Sequence, residues 1–290
     1  SLSRVRALAK GGLNQLKANK MKISVALAGI SLALVPFAGA QSKVVIKGSD
    51  TLGAKMVPQL AEAYKATGKD VDFEIAAEGS STAFTSLLAG TAEIGMSSRD
   101  AKDSEKDKFT AAGKELAEHI AGFDMIAVVV NDANGVRDLT LKQVEGIFTG
   151  DIKDWSELGG KAGKISVYTR NTSSGTYKSF QDLAMNKRDY GSNAQKMAGN
   201  EAIASEVANN PGGIGYVGLA YAEKDGLKAV KVDGVSPKPR NADKYSISRK
   251  LYYYTVGEPA GAAGEFLEWA TASKEAKEIV DRVGFIPAGE

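Results

Sequence analysis

A strand-like run, Lys164–Tyr168, leads into Thr169-Arg170-Asn171-Thr172-Ser173-Ser174-Gly175-Thr176-Tyr177, and a helix-like run follows from Tyr177 to Met185. This junction constrains the fold more than any other stretch. One guanidinium, several hydroxyls and a glycine stand where a helix begins. The first N–H groups of a helix have no internal partner and carry partial positive charge. Glycine lets a ligand approach that backbone closely, so the junction suits an oxyanion. A single loop of this kind is ordinary; here the pattern recurs.

Lys43–Lys47 reads as a strand, followed by Gly48-Ser49-Asp50-Thr51 and a helical pattern through Tyr64. Val71–Ala76 alternates like a strand, and Glu78-Gly79-Ser80-Ser81-Thr82 leads into a helix over Ala83–Leu88. Ala92–Met96 is a short buried strand with Ser97-Ser98-Arg99-Asp100 as its polar exit. Strand, loop and helix repeat, which predicts an α/β fold on a parallel sheet. In such sheets ligands bind at the carboxyl ends of the strands, where all these hydroxyl-rich loops fall.

Further along, Met125–Val130 is a central strand by its β-branched content. Thr140 and Gln143 have the spacing of a capping box at the start of a helix toward Phe148. Asn193–Asn209 reads as helical, Ile214–Val217 as a strand, Leu251–Val256 as another. Glu265–Arg282 reads as one long amphipathic helix. In the run Tyr252-Tyr253-Tyr254, strand alternation puts the first and third rings on one face and the second on the other, which favours packing over sugar stacking.

Composition narrows the chemistry. The chain has no cysteine, which excludes disulfides, thiol catalysis and thiolate metal sites. His119 is its only histidine, so a site built on several histidines is excluded as well. A Ser-His-Asp hydrolase would have to use His119, which falls in a polar, helix-like run over Glu115–Ile120. Ser174 also lacks the Gly-x-Ser-x-Gly setting of a hydrolase nucleophile.

Met21-Lys22, an apolar run over Ile23–Phe37 and Ala38-Gly39-Ala40 have the layout of a secretory signal peptide over residues 21–40. No cysteine follows it for lipid attachment, so a soluble periplasmic protein is expected. Residues 1–20 lie upstream of the apparent start and are expected to stand outside the mature chain. Removing the six basic side chains of residues 1–40 from the chain's 37 leaves 31 against 35 acidic residues, a net charge of −4. Nucleic acid is therefore not an expected partner, and an anion would have to be held by local donors rather than by the overall field.

Taken together the loops supply Ser49, Thr51, Ser80, Ser81, Ser97, Ser98, Ser174 and Thr176 as hydroxyls, with Arg99 and Arg170 as cations. A buried tetrahedral dianion is tolerable when each oxygen is hydrogen-bonded and a cation is close. The segments Glu78–Thr82, Ala92–Arg99, Ile147–Trp155, Arg170 with Ser174-Gly175-Thr176, Pro211–Val217 and Val283–Pro287, in this order and spacing, resemble the phosphate-binding proteins that serve bacterial ABC transporters. The resemblance runs from about Val44 to Pro287. It implies a two-lobed type II periplasmic-binding-protein fold with two hinge crossovers. The first lobe would be residues 41–124 plus 256–290 and the second 125–255, hinged near Phe123-Asp124-Met125 and Tyr254-Thr255. Phosphate would lie between the lobes. The implied contacts are Thr51, Leu52 and Ser80 from the first lobe and Arg170, Ser174, Gly175 and Thr176 from the second. The implied partner is an ABC permease in the inner membrane, the implied state a monomer with no cofactor, metal or enzymatic activity.

One position departs from the family pattern. Ser98 stands where the well-studied branch has the aspartate that accepts the proton of phosphate and so rejects sulfate. Asp50 is the best substitute for that acceptor and Asp124 a weaker one; Ser81 and Arg99 are further candidates for the site. The alternatives are the same fold binding sulfate, arsenate or molybdate, or a secreted adhesin or biofilm protein that reuses it.

Overall fold

A computed structural model describes residues 41–161 and 163–289. The expected signal peptide and the residues upstream of it lie outside the described residues. The chain begins β1 (Ser42–Gly48), α1 (Asp50–Gly53), α2 (Met56–Ala66), β2 (Val71–Ala76), α3 (Ser80–Ala89), β3 (Ile94–Ser97) and α4 (Asp103–Ala111). It continues with β4 (Leu116–Asn131), β5 (Asp138–Leu139), α5 (Leu141–Thr149), β6 (Ser166–Arg170), α6 (Gly175–Ala184), β7 (Gln195–Met197), α7 (Asn200–Asn209) and β8 (Gly213–Gly218). Last come β9 (Leu227–Ala229), β10 (Lys231–Val232), β11 (Ser248–Val256), α8 (Gly261–Ala272) and α9 (Lys274–Val283).

The main sheet runs in the order β2-β1-β3-β11-β4-β8-β6-β7, with β9 beside β4. Its two ends are parallel, as the alternation of strands and helices predicts: β1 pairs with β2 and β3 at one end, β6 with β7 and β8 at the other. The middle is antiparallel, β3 to β11, β11 to β4 and β4 to β8. The cause is that β4 and β11 are single long strands shared by both ends. Leu116–Met125 of β4 pairs with β11, and Ile126–Val130 of the same strand turns to pair with β8. This topology is that of a two-lobed binding-protein fold with paired crossovers.

Buried side chains form one large cluster around Ile46, Leu60, Ile94, Phe266 and Val280 and a second around Val128, Phe148, Phe180 and Tyr216. A third, smaller one holds Phe84, Phe109, Tyr252 and Tyr254. The tyrosine run alternates as expected: the rings of Tyr252 and Tyr254 lie 5.6 Å apart, while Tyr253 packs in the first cluster on the opposite face. The capping box forms too, with Gln143 N donating to Thr140 Oγ1 at 3.1 Å and Thr140 N donating to Gln143 Oε1 at 2.8 Å.

Three expectations are corrected. Glu115–Ile120 is not helical. It enters the first half of β4, where pairing with β11 overrides local pattern. Asn193–Asn209 is split, because Gln195–Met197 extends along β6 as an edge strand and the helix starts only at Asn200. The long carboxy-terminal helix is also two. Ser273 is extended (φ −71°, ψ 147°), and its hydroxyl accepts from Ala276 N at 3.1 Å to cap α9.

Candidate functional site

Four of the hydroxyl-rich loops meet at the carboxyl ends of β1, β2, β3 and β6, and α1, α3 and α6 start from those after β1, β2 and β6. Helix starts leave Thr51, Leu52, Gly175 and Thr176 among the N–H groups without an intrahelical acceptor. Two glycines let the loops touch. Gly79 has φ +135°, a conformation that L side chains rarely adopt, and a Cβ there would meet the Ser173 carbonyl oxygen at 2.8 Å. Gly175 lies so close to the opposite loop that a Cβ would reach Ser98 Oγ at 2.6 Å and Ser80 Cβ at 2.9 Å.

The side chains converge accordingly. Thr51 Oγ1 and Thr176 Oγ1 are 2.9 Å apart although 125 residues separate them. Ser98 N donates to Ser80 Oγ at 3.0 Å, and the two serine oxygens stand 3.3 Å apart. Ser174 caps α6, its Oγ accepting from Tyr177 N at 3.3 Å. Thr51, Leu52, Ser80, Ser98, Ser174 and Thr176 are all buried.

Arg170 supplies the charge. It is 1% exposed, and its Nη2 donates to Ala198 O at 3.1 Å. Nη1 lies 3.3 Å from Asp50 Oδ2, an ion-pair distance without hydrogen-bond alignment, and neither Nη1 nor Nε has a hydrogen-bond acceptor among the described residues. Burial pushes the guanidinium below the ordinary arginine range and Asp50 pulls it back up. The group stays a cation at any physiological pH. Asp50 Oδ2 also accepts from Asn200 N at 3.0 Å and from Asn200 Nδ2 at 2.7 Å, so the aspartate caps α7. Asp50 Oδ1 accepts nothing among the described residues.

The loop after β6 is held from beneath by a chain of hydroxyls. Tyr190 OH donates to Tyr177 O at 2.8 Å, so it must accept from Tyr216 OH, 3.0 Å away. Thr169 Oγ1 then donates to Tyr216 OH at 2.7 Å, and Arg170 N also donates there at 3.3 Å. Burial raises both phenols above the usual tyrosine range, so both keep the proton this chain requires.

Other candidate residues have other partners. Arg99 is engaged by Glu105 through two bonds of 2.7 and 2.8 Å, and it also donates to Ser81 Oγ at 3.3 Å. It braces the Ser81 turn and does not join the Arg170 cluster. Both oxygens of Asp124 are occupied: Oδ1 by Leu219 N at 3.0 Å, Oδ2 by Arg249 Nε and Nη2 at 3.1 and 2.7 Å. Complete burial raises its carboxyl pKa and Arg249 opposes the rise. His119 Nε2 pairs with Thr255 Oγ1 at 3.0 Å, away from every one of these serines. Among the described residues no group of three or more His, Asp or Glu is placed to hold a metal, and no helix is long and apolar enough to cross a membrane.

Arg249 and Asn200 are the residues sequence reasoning missed. Arg249 Nη1 donates to Thr176 Oγ1 and to Ser98 O, each at 3.0 Å. Asn200 Nδ2 reaches Thr51 Oγ1 at 3.3 Å while its Oδ1 accepts from Gly218 N at 3.0 Å. A signal existed for Arg249, which shares a strand face with Leu251 and so puts a charge on a buried face. None existed for Asn200, whose partner Asp50 is 150 residues away.

Comparison with known proteins identifies the family. The profile of the PBP superfamily domain matches residues 36–275. The phosphate-binding protein PstS of Bacillus subtilis is 33% identical over 250 residues, covering 86% of this chain and 81% of that protein. The phosphate-binding protein PstS of Pseudomonas aeruginosa is 33% identical over 290 residues, covering 90% of this chain and 89% of its own length. Among solved structures, a putative phosphate ABC transporter substrate-binding protein with bound phosphate from Clostridium perfringens superposes with a TM-score of 0.78 at 35% identity, covering 85% of this chain and 99% of that one. The chain therefore belongs to the PBP superfamily and, within it, to the PstS family of phosphate-binding proteins.

Proposed function

We propose that this protein is a periplasmic receptor that captures inorganic phosphate and delivers it to an ABC permease in the inner membrane. The observation that carries the reading is Arg170. A buried guanidinium with two nitrogens lacking a protein acceptor, leading into the loop that brings Gly175 and Thr176 against Thr51, Ser80 and Ser98, is the complement of a tetrahedral oxyanion. Backbone N–H groups of Leu52, Gly175 and Thr176 add donors aimed by helix starts. The relatives named for phosphate select phosphate among such anions.

In this reading the lobes are residues 41–124 with 256–290 and residues 125–255, turning about β4 near Phe123–Met125 and about β11 near its register partners Ser248–Lys250, with Tyr252–Thr255 moving with the first lobe. The Thr51–Thr176 and Asp50–Asn200 contacts cross between the lobes, so closing and clasping the anion are one event. The protein acts as a monomer and performs no chemistry; its closed shape is what the permease reads. Asp50, whose Oδ1 has lone pairs to spare, is the acceptor for the proton of phosphate, in place of the carboxylate that Ser98 lacks. Asp124 is not available for that role, since Arg249 and Leu219 fill it.

A thermal melt tests the reading. Phosphate is expected to raise the melting temperature, by the linkage of ligand binding to the native state, and equimolar sulfate is not. An equal rise with both anions would remove the selectivity, and no rise with either would remove the binding site.

A further inference from the structure

We propose that Arg249, held by Asp124, is a positioning residue that makes the Thr176 hydroxyl a dedicated donor to the bound anion; this rests on the phosphate-site reading above. Arg249 and Asp124 face each other across β11 and β4 as register partners, and both side chains are almost wholly buried. Two guanidinium nitrogens go to Asp124 Oδ2, which fixes the plane of the group. The third, Nη1, is thereby aimed at Thr176 Oγ1 and Ser98 O. Ser98 O takes a further bond from Ser179 Oγ at 3.0 Å, so the carbonyl is fully engaged.

The consequence follows from counting protons. Arginine can only donate, so Thr176 Oγ1 accepts from Arg249 and must send its own hydrogen elsewhere. The side-chain amide nitrogen of Asn200 can also only donate, so Thr51 Oγ1 is in the same position. The two threonine oxygens are 2.9 Å apart, and one hydrogen suffices for that contact. The other is left over for the anion, as are the unfilled nitrogens of Arg170, whose partner Asp50 is held by the same Asn200 amide that reaches Thr51. With the arginine N–H on one lone pair of Thr176 Oγ1 and the Thr51 hydrogen on the other, the Thr176 hydrogen is turned toward the anion; without the arginine N–H nothing fixes that direction, and a preset donor to the anion is lost. Asp124 neutralises Arg249, so its effect on the anion passes through the hydroxyl rather than through net charge.

The same pair sits where the two long strands run between the ends of the sheet. Arg249 therefore ties both strands to one hydroxyl of the site and one carbonyl of the loop after β3. Its position links strand geometry to the readiness of Thr176.

The test is a double-mutant cycle with inorganic phosphate, read by titration calorimetry on the purified protein, over wild type, R249K, T176V and R249K/T176V. Lysine keeps the charge beside Asp124 but cannot span Asp124, Ser98 O and Thr176 Oγ1 at once. R249K is expected to weaken phosphate binding roughly 10- to 150-fold, the range for one lost charge-assisted bond. With the hydroxyl already absent, in T176V, the same change is expected to cost less than about threefold, because it has no hydroxyl left to act on. Equal losses in both backgrounds would overturn the proposal, as would an R249K protein with wild-type affinity. If R249K does not fold, D124L/R249L replaces the buried ion pair by apolar side chains, a change often tolerated. It is expected to show the same loss and the same coupling to T176V, and independence from T176V would again overturn the proposal. A wild type that binds no phosphate would instead remove the reading on which the proposal rests.

Discussion

Arg170→Ala is expected to weaken phosphate binding by roughly 100-fold or more, about 3 kcal/mol, the size of effect seen when one partner of a buried, hydrogen-bonded charge pair is truncated. Two terms contribute. The anion loses the cation whose Nε and Nη1 have no other acceptor among the described residues. Asp50 also loses its counter-ion 3.3 Å away, so a carboxylate is left beside a bound dianion. Titration calorimetry of the variant against phosphate measures the loss. An affinity within about threefold of wild type would mean that the anion lies elsewhere, since no ordinary relaxation replaces a buried guanidinium.

Gly175→Ala is expected to act on binding while sparing the fold. The residue opens α6 without a positive φ, so alanine suits its backbone and is the better helix former by about 1 kcal/mol. Its Cβ would nonetheless meet Ser98 Oγ at 2.6 Å and Ser80 Cβ at 2.9 Å, both across the site. Inserting a methyl group into such a contact costs about 1–3 kcal/mol, or roughly 5- to 150-fold in affinity. Under the lobe motion proposed above the loops separate without phosphate, so the melting temperature of the variant is expected to match or exceed that of wild type. The paired measurement is a melt without phosphate and a titration with it. Normal affinity would show that the serines and Gly175 do not meet when the anion is held. A large fall in stability without phosphate would show that their contact is part of the resting fold.

These expectations rest on residues that the sequence made visible. Ser80, Arg170 and Gly175 stand in loops between a strand pattern and a helix pattern, and local rules of periodicity and capping place such loops at the ends of a sheet. What local rules cannot see is pairing across the chain. The residues Gln195–Met197 look like the first turn of a helix until β6 offers them an open edge. Glu115–Ile120 looks polar and helical until β11 pairs along it from Leu116 on. The same limit governs the site. Arg249 and Asp124 are 125 residues apart in sequence, and only the crossing of the two long strands makes them neighbours. Asn200 is invisible for the same reason, while the Tyr216–Tyr190–Tyr177 chain depends on three segments meeting behind one loop.

The substitution of Ser98 for a carboxylate, which at first throws doubt on phosphate selection, acquires a definite context. Ser98 N donates to Ser80 Oγ, and the Ser98 carbonyl is held by Ser179 and Arg249. The position holds the Ser80 loop in place, and under the function proposed above proton acceptance falls to Asp50. A fully ionised sulfate has no proton to give that carboxylate, so it would meet repulsion where phosphate meets an acceptor.

The most direct test is a calorimetric titration of the protein with inorganic phosphate, repeated in the presence of equimolar sulfate. The account predicts saturable binding of one phosphate per chain, unchanged by sulfate and lost in Arg170→Ala. An absence of saturable heat with phosphate, or displacement of phosphate by sulfate mole for mole, would contradict it.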